Sequence, residues 1–326
     1  MSRSGHPWVT RGAALAVVVV WSTCFVAIKG LVGTVPPLLA AALRALLAAS
    51  VLMALARLEG ALRPPRAAWP WLVLLGLFNT TLGLAGMFLS VGLAGAALPA
   101  VLANSQALLV APAAVWLFRE PLPARAVAGL VVGVGGIAWL FVASAGSSWW
   151  SAAGALLGLA SALGLAAGNL LMKRLSRQVP ALSAVAWQFL IGGVGLLAWS
   201  LAAEGPPAIA PTPRLLASLV YLGVVGSAVA SWAWYRLLAR DTLVGLNGLT
   251  LLVPVLAVVW ARLLFGEVVE APALAGLALA VIGVALVSLP GAAAPRPATR
   301  GVAPRGSPGW ASPPRDHGDP GEDARR

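Results

Sequence analysis

Arg44 stands inside the apolar run Leu39 to Leu47, roughly 12 Å into a predicted helix at about 1.5 Å per residue. A cation at that depth is costly and usually faces a bundle interior or a wet cavity. Two roles are open to it: counter-charge for a substrate carboxylate, or hydrogen-bond donor to helix carbonyls and head groups. Other apolar stretches carry Asn79, Asn104, Asn169, Gln188 and Asn247, amides that are unfavourable to bury unpaired and so are candidates to line a pathway. Trp21, Ser22, Trp187, Trp232 and Tyr235 could wall an amphipathic cavity or simply pack. Asn104 and Gln106 should diverge on a helix because they are two residues apart, and Asn104 is the preferred member. The lone hydroxyls Thr80, Ser227, Ser231 and Thr250 read as helix-to-helix glue. Together these groups suit non-covalent recognition of a small polar or zwitterionic molecule.

They suit little else. Both histidines, His6 and His317, lie outside the apolar stretches, and no Asp or Glu is placed in the middle of one. Cys24 is the single cysteine. No catalytic residue, metal site or cofactor is therefore expected. The absence of G-x-x-x-x-G-K-[ST] excludes a self-contained ATP-driven pump. Lys29, about a turn from the end of its helix, could snorkel to the interface.

The elements that hold these residues are dictated by composition. Apolar residues make up 60%, charged residues 10%, and mean hydropathy is +0.90, whereas a soluble domain carries about 25% charged residues. Backbone groups in lipid must be satisfied within the segment, so repeated apolar runs of helix length mean membrane helices. Breaks at Pro, Gly and charges predict ten of them, near 13–33, 36–56, 69–90, 98–118, 124–143, 152–173, 181–203, 214–238, 244–265 and 271–289. The first is read as uncleaved, since no small-x-small site follows it. A net charge of +12 could suggest nucleic acid, but the basic residues are scattered between apolar runs and read as topology signals. With both termini cytoplasmic, only Lys29, Arg214 and Arg262 fall on the opposite side; Arg44 stays within a helix and every other Lys and Arg is cytoplasmic.

The block at 117–140 recurs at 264–287: Leu117, Phe118, Glu120, Gly129 and Gly136 match Leu264, Phe265, Glu267, Gly276 and Gly283. Five spans per half is an odd number, so the copies must be inverted, with Glu120 and Glu267 on opposite faces. Each glutamate precedes the next helix and reads as a gating or structural group favouring that helix's N-terminus. Gly129, Gly133 and Gly136, with Gly276, Ala280 and Gly283, form small-residue ridges for close packing; through such faces a second copy of the chain is a candidate partner. Pro112 and Pro254 would bend the fourth and ninth helices. The expected fold is an all-α membrane protein of ten transmembrane helices in two inverted five-helix repeats. Its parts are a cytoplasmic N-terminus (1–12), a first repeat (13–143), a second (152–289) and a disordered cytoplasmic tail (290–326).

The chain resembles the EamA type of the drug/metabolite transporter superfamily. The resemblance rests on Trp21 to Lys29 in the first helix, Leu39 to Leu47 with Arg44, and Ala103 through Pro121-Leu122. It continues with Trp187-Gln188-Phe189, Tyr235, and Pro254 through Glu267-Val268-Val269. Val268-Val269 depart from the small or Pro residue and Leu that often follow the glutamate in that family. The resemblance implies a secondary transporter working by alternating access, an exporter of amino acids or related amphipathic compounds. Drug efflux, import by the same fold, and a non-transporting scaffold are the alternatives. The expected partners are the lipid bilayer and a small-molecule substrate, and the expected location is a bacterial inner membrane.

Overall fold

The computed structural model describes residues 7–118, 123–144, 151–176, 178–206, 209, 211–238, 250, 252–267 and 270–288. Glu120, Asn247 and the tail from 291 onward lie outside the described residues. The described chain is helical throughout: α1 (Pro7–Lys29), α2 (Pro37–Leu58), α3 (Arg66–Ala94), α4 (Ala97–Leu117) and α5 (Ala124–Ser144). The second half contributes α6 (Ala152–Leu175), α7 (Ala181–Ala203), α8 (Pro213–Leu237), α9 (Leu252–Phe265) and α10 (Ala271–Ser288). Seven described helices are long and apolar enough to cross a membrane, and Ala124–Leu140, Leu252–Phe265 and Ala271–Val287 are shorter apolar helices. Many large apolar side chains point outward, among them Val131, Val142, Leu263 and Leu264. Such a surface belongs against lipid, so the protein is a multi-pass integral membrane protein.

Local sequence explains the helix limits. α2 follows Pro36 and has Pro37 at its first position, where a missing N–H is harmless. It stops at Gly60, which takes φ 67°, a left-handed value that a side chain would oppose. α7 follows Pro180 and stops at Gly205 with φ 77°. Ser151 caps α6 by accepting from Gly154 N, and Thr212 caps α8 by accepting from Leu215 N.

Two helices change their winding. α3 is π-helical over Gly76–Leu82 and α8 over Tyr221–Val229. Gly76 and Gly223 are separated in sequence as Leu117 and Leu264 are, so the two π segments are repeat counterparts. α4 breaks its regular pattern at Ser105, where ψ is −3°.

The principal packings join one half to the other, and they come as exchanges. α3 lies on α7 while α8 lies on α2; α4 lies on α6 while α9 lies on α1. α2 packs along its counterpart α7, and α5 along α10. Glu204, just past α7, reaches Leu38 at the start of α2, whereas Trp187, near the start of α7, reaches Leu62 just past α2. Equivalent helices that run antiparallel are the geometry of an inverted pair.

Pro112 sits inside the second segment of α4. Pro254 is buried in the described start of α9. The glycine ridges of α5 and α10 meet each other: an added Cβ on Gly136 would lie 2.5 Å from Ala280 N, and one on Gly283 2.3 Å from Gly133 Cα. Within the chain, the faces expected to meet a second copy are thus occupied.

Candidate functional site

A cavity of ≈ 920 Å³, including the space where it opens to solvent, lies where the exchanged packings cross. The π segments form part of its wall because the change of winding turns two consecutive positions inward. Asn79 and Thr80 come from the first, Gly226 and Ser227 from the second. The absent side chains of Gly76 and Gly223 let these segments approach the central pair. A Cβ on Gly76 would stand 2.9 Å from Ile191, and one on Gly223 2.8 Å from Leu47.

Two cross-repeat hydrogen bonds hold the wall. Arg44 on α2 donates from Nε to Ser227 Oγ at 2.7 Å. Gln188 on α7, as far from Pro180 as Arg44 is from Pro36, donates from Nε2 to Thr80 Oγ1 at 3.2 Å. A buried relay extends the second contact: Asn79 Nδ2 donates to Tyr235 OH at 3.1 Å, and Tyr235 OH donates to Gln188 Oε1 at 3.1 Å. Both ends of the Gln188 amide thereby have partners, which offsets the cost of burying it in an apolar bundle.

Arg44 is buried, and its Nη1 has no hydrogen-bond partner. Among the described residues it has no carboxylate partner either, and no Asp, Glu or His lines the cavity. Among the described residues the cavity therefore carries one cation and no counter-ion. Aromatic and apolar groups complete it: Trp21 and Phe25 from α1, Met87 from α3, Phe189 from α7, and Trp234, whose ring centroid is 5.0 Å from that of Trp21.

Seven of the eleven residues expected to line a pathway or wall a cavity line this one: Trp21, Arg44, Asn79, Asn104, Asn169, Gln188 and Tyr235. Ser22 does not; it is buried, donates to Val19 O, and accepts from Trp260 Nε1 at 3.1 Å. Trp187 also lies elsewhere, donating to Leu62 O at 2.9 Å and meeting Trp69 edge-on. Trp232 packs beside Arg236; Trp234, two positions on and so on another face of α8, takes the cavity instead. Gln106 lines the cavity together with Asn104, contrary to the helical-divergence expectation, because the break at Ser105 resets the phase. Gln106 Oε1 accepts from Asn169 Nδ2 at 2.9 Å. The hydroxyls Thr80 and Ser227 are glue and cavity wall at once.

Lys29 does not snorkel freely: it forms an ion pair with Glu267 and stands over the Phe265 ring. Glu267 serves a helix of the other half. Its oxygens accept from Ala96 N at 3.0 Å and Ala97 N at 3.3 Å, at the start of α4. The sequence places Glu267 correctly at a helix N-terminus but cannot say which one, because the partner is distant in the chain.

The profile of the EamA-like transporter family matches twice, over residues 11–142 and 152–289. An uncharacterized transporter of Synechocystis sp. is 31% identical, over 82% of this chain and 86% of its own length. A probable amino-acid metabolite efflux pump of Salmonella typhimurium is 31% identical, over 83% and 91%. Its Escherichia coli namesake is 29% identical, over 78% and 86%. A solved crystal structure aligns with a TM-score of 0.64 at 22% identity, over 86% of this chain and 98% of that one, a likeness of fold. With both halves matched by the same profile, the chain belongs to the EamA-like transporter family.

Proposed function

We propose that the protein is a secondary transporter that exports amino acids or related amphipathic, carboxylate-bearing metabolites across the bacterial inner membrane by alternating access. The single observation that carries this reading is the cavity between the halves with Arg44 as a buried cation that has no carboxylate partner among the described residues. A buried guanidinium without a counter-ion favours an anionic group arriving from outside the protein. The aromatic side chains Trp21, Phe25 and Trp234 would receive an apolar body, and the amides of Asn104, Gln106 and Asn169 its remaining polar groups. The names of two relatives, probable amino-acid metabolite efflux pumps, point the same way.

The topology proposed with this function has ten spans, both termini in the cytoplasm, and Lys29, Glu204 and Glu267 at the outer face. It follows from the Lys and Arg distribution. Glu120 and Asn247, outside the described residues, remain proposed as a gating group and a pathway amide.

The test is transport by reconstituted vesicles. Arg44→Gln should slow movement of an amino acid by about tenfold or more while leaving a neutral analogue of similar size less affected. Equal losses would remove the carboxylate role. A comparison of metabolite release between cells lacking and overproducing the protein identifies the cargo; no difference across a broad panel would favour a scaffold.

A further inference from the structure

The second helix of each half ends in the same way, yet the two ends are bonded differently. α2 is followed by Glu59 and Gly60, α7 by Glu204 and Gly205. The Glu204 carboxylate accepts from Leu38 N at 2.8 Å and Leu39 N at 3.0 Å, and Ser200 Oγ donates to it at 2.7 Å. These are the free N–H groups of the first turn of α2, which no helical carbonyl can serve, and an anion there is also favoured by the helix dipole. A carboxylate of the second half thus closes a helix start of the first half. At the same end, Glu267 closes the start of α4 and pairs with Lys29, again across the two halves.

Glu59 has no such role here. It is exposed, and its carboxylate makes no hydrogen bond or ion pair among the described residues. At the matching helix start, that of α7, no side chain accepts from the N–H groups of Leu182 and Ser183 among the described residues. In its first turn Ser183 is fully buried, and its Oγ has no hydrogen-bond partner. Leu182 and Ser183 follow Pro180 as Leu38 and Leu39 follow Pro36. Glu59 and this turn share one end of the α2–α7 pair, since Trp187 Nε1 donates to Leu62 O there.

We infer that Glu204 and Glu59 are exchanged closing residues of the transport cycle, a device that rests on the alternating-access reading. In the state seen here Glu204 caps α2 and ties the two halves together at that end. In the opposite state Glu59 caps α7, receiving the N–H groups of Leu182 and Ser183 and the Ser183 hydroxyl, while Glu204 returns to water. Each state caps one helix start and leaves the other uncapped, so the exchange conserves charge-assisted hydrogen bonds and neither state is strongly preferred by this element. The unpaired Ser183 hydroxyl marks the vacant half of the exchange, because a fully buried hydroxyl ordinarily has a partner. Lys29 and Glu267 add a second tie at the Glu204 end.

The experiment uses the full-length chain in vesicles, with Cys24→Ser as background and Ser231→Cys as the reporter, since Ser231 lines the cavity. A membrane-impermeant maleimide is applied separately to each side. Glu204→Ala should raise the labelling rate from the Glu204 side about tenfold, the shift expected for about 1.4 kcal/mol. Glu59→Ala should lower it from that side by at least severalfold, and the double variant should return towards the parent rate. If Glu204→Ala does not yield monodisperse protein, Glu204→Gln, which keeps the shape and one acceptor, should give a smaller change of the same sign. Single variants that move the rate in the same direction, or that leave it unchanged, would overturn the exchange. Labelling needs no substrate, so the latch and the transport reading fail independently. Unchanged labelling with continued transport removes the latch alone, and opposite shifts with no transported substrate leave the latch and remove the transport reading.

Discussion

Arg44 and Gln188 occupy equivalent positions and make equivalent cross-repeat bonds, yet only one is charged. The duplicated frame therefore supplies symmetry, and a single substitution within it supplies polarity to the cavity. Arg44→Lys should not substitute well, because a point ammonium cannot both donate to Ser227 and keep a second donor directed elsewhere in a planar fork. Tyr235→Phe removes the middle of the Asn79–Tyr235–Gln188 relay and leaves the Gln188 carbonyl short of a donor. A loss of about 1–3 kcal/mol is expected, read as a lower unfolding midpoint in detergent together with weaker substrate binding. An unchanged midpoint would mean that water replaces the hydroxyl. At this scale the sequence was informative about residue type: buried amides and a buried cation stand out against apolar surroundings. It was poor at distinguishing neighbours. Trp234 rather than Trp232 faces the cavity, and Ser22 and Trp187 are consumed by Trp260 and Leu62.

Helix spacing was legible because lipid forces every apolar run into a helix, and Pro and Gly punctuate the runs where the backbone must stop. α6 and α7 start at Ala152 and Ala181, as the Pro and Gly punctuation predicts. Changes of winding inside a helix were not legible. The π segments at Gly76–Leu82 and Tyr221–Val229 and the break at Ser105 depend on neighbouring helices that bond the displaced groups, as when Thr81 Oγ1 donates to Gly192 O at 3.0 Å. π turns of this kind are frequent at functional sites. The glycine ridges give the prediction proper to this scale. Gly283→Leu puts a side chain where even a Cβ would lie 2.3 Å from Gly133 Cα, so α5 and α10 must separate. Stability should fall by several kcal/mol, about the upper range for overpacking, and the folded yield in detergent should fall with it. Gly92→Ala, with nothing within 4 Å of its Cβ position, should be neutral or slightly stabilising because alanine is the better helix former.

For the whole molecule, the exchanged packings make two five-helix units into one body whose cavity belongs to neither alone. Topology reporters test the orientation proposed for it. A phosphatase fused within the segment after Gly205 should be active, and a fluorescent protein fused at the C-terminus should fluoresce; the reverse pattern would place the Glu204 end in the cytoplasm. The sequence by itself determined the membrane class, the duplication, the helix spacing and the kinds of residue that could meet a substrate. These follow from composition and periodicity, which lipid and backbone hydrogen bonding translate into structure without reference to distant residues. Only the tertiary structure decided which of those residues share a cavity, which helix start Glu267 and Glu204 serve, and that Glu59 stands uncommitted. Those outcomes depend on pairings between residues far apart in the chain and on helix phase, and a one-residue change of winding is enough to turn a side chain from the cavity to the packing.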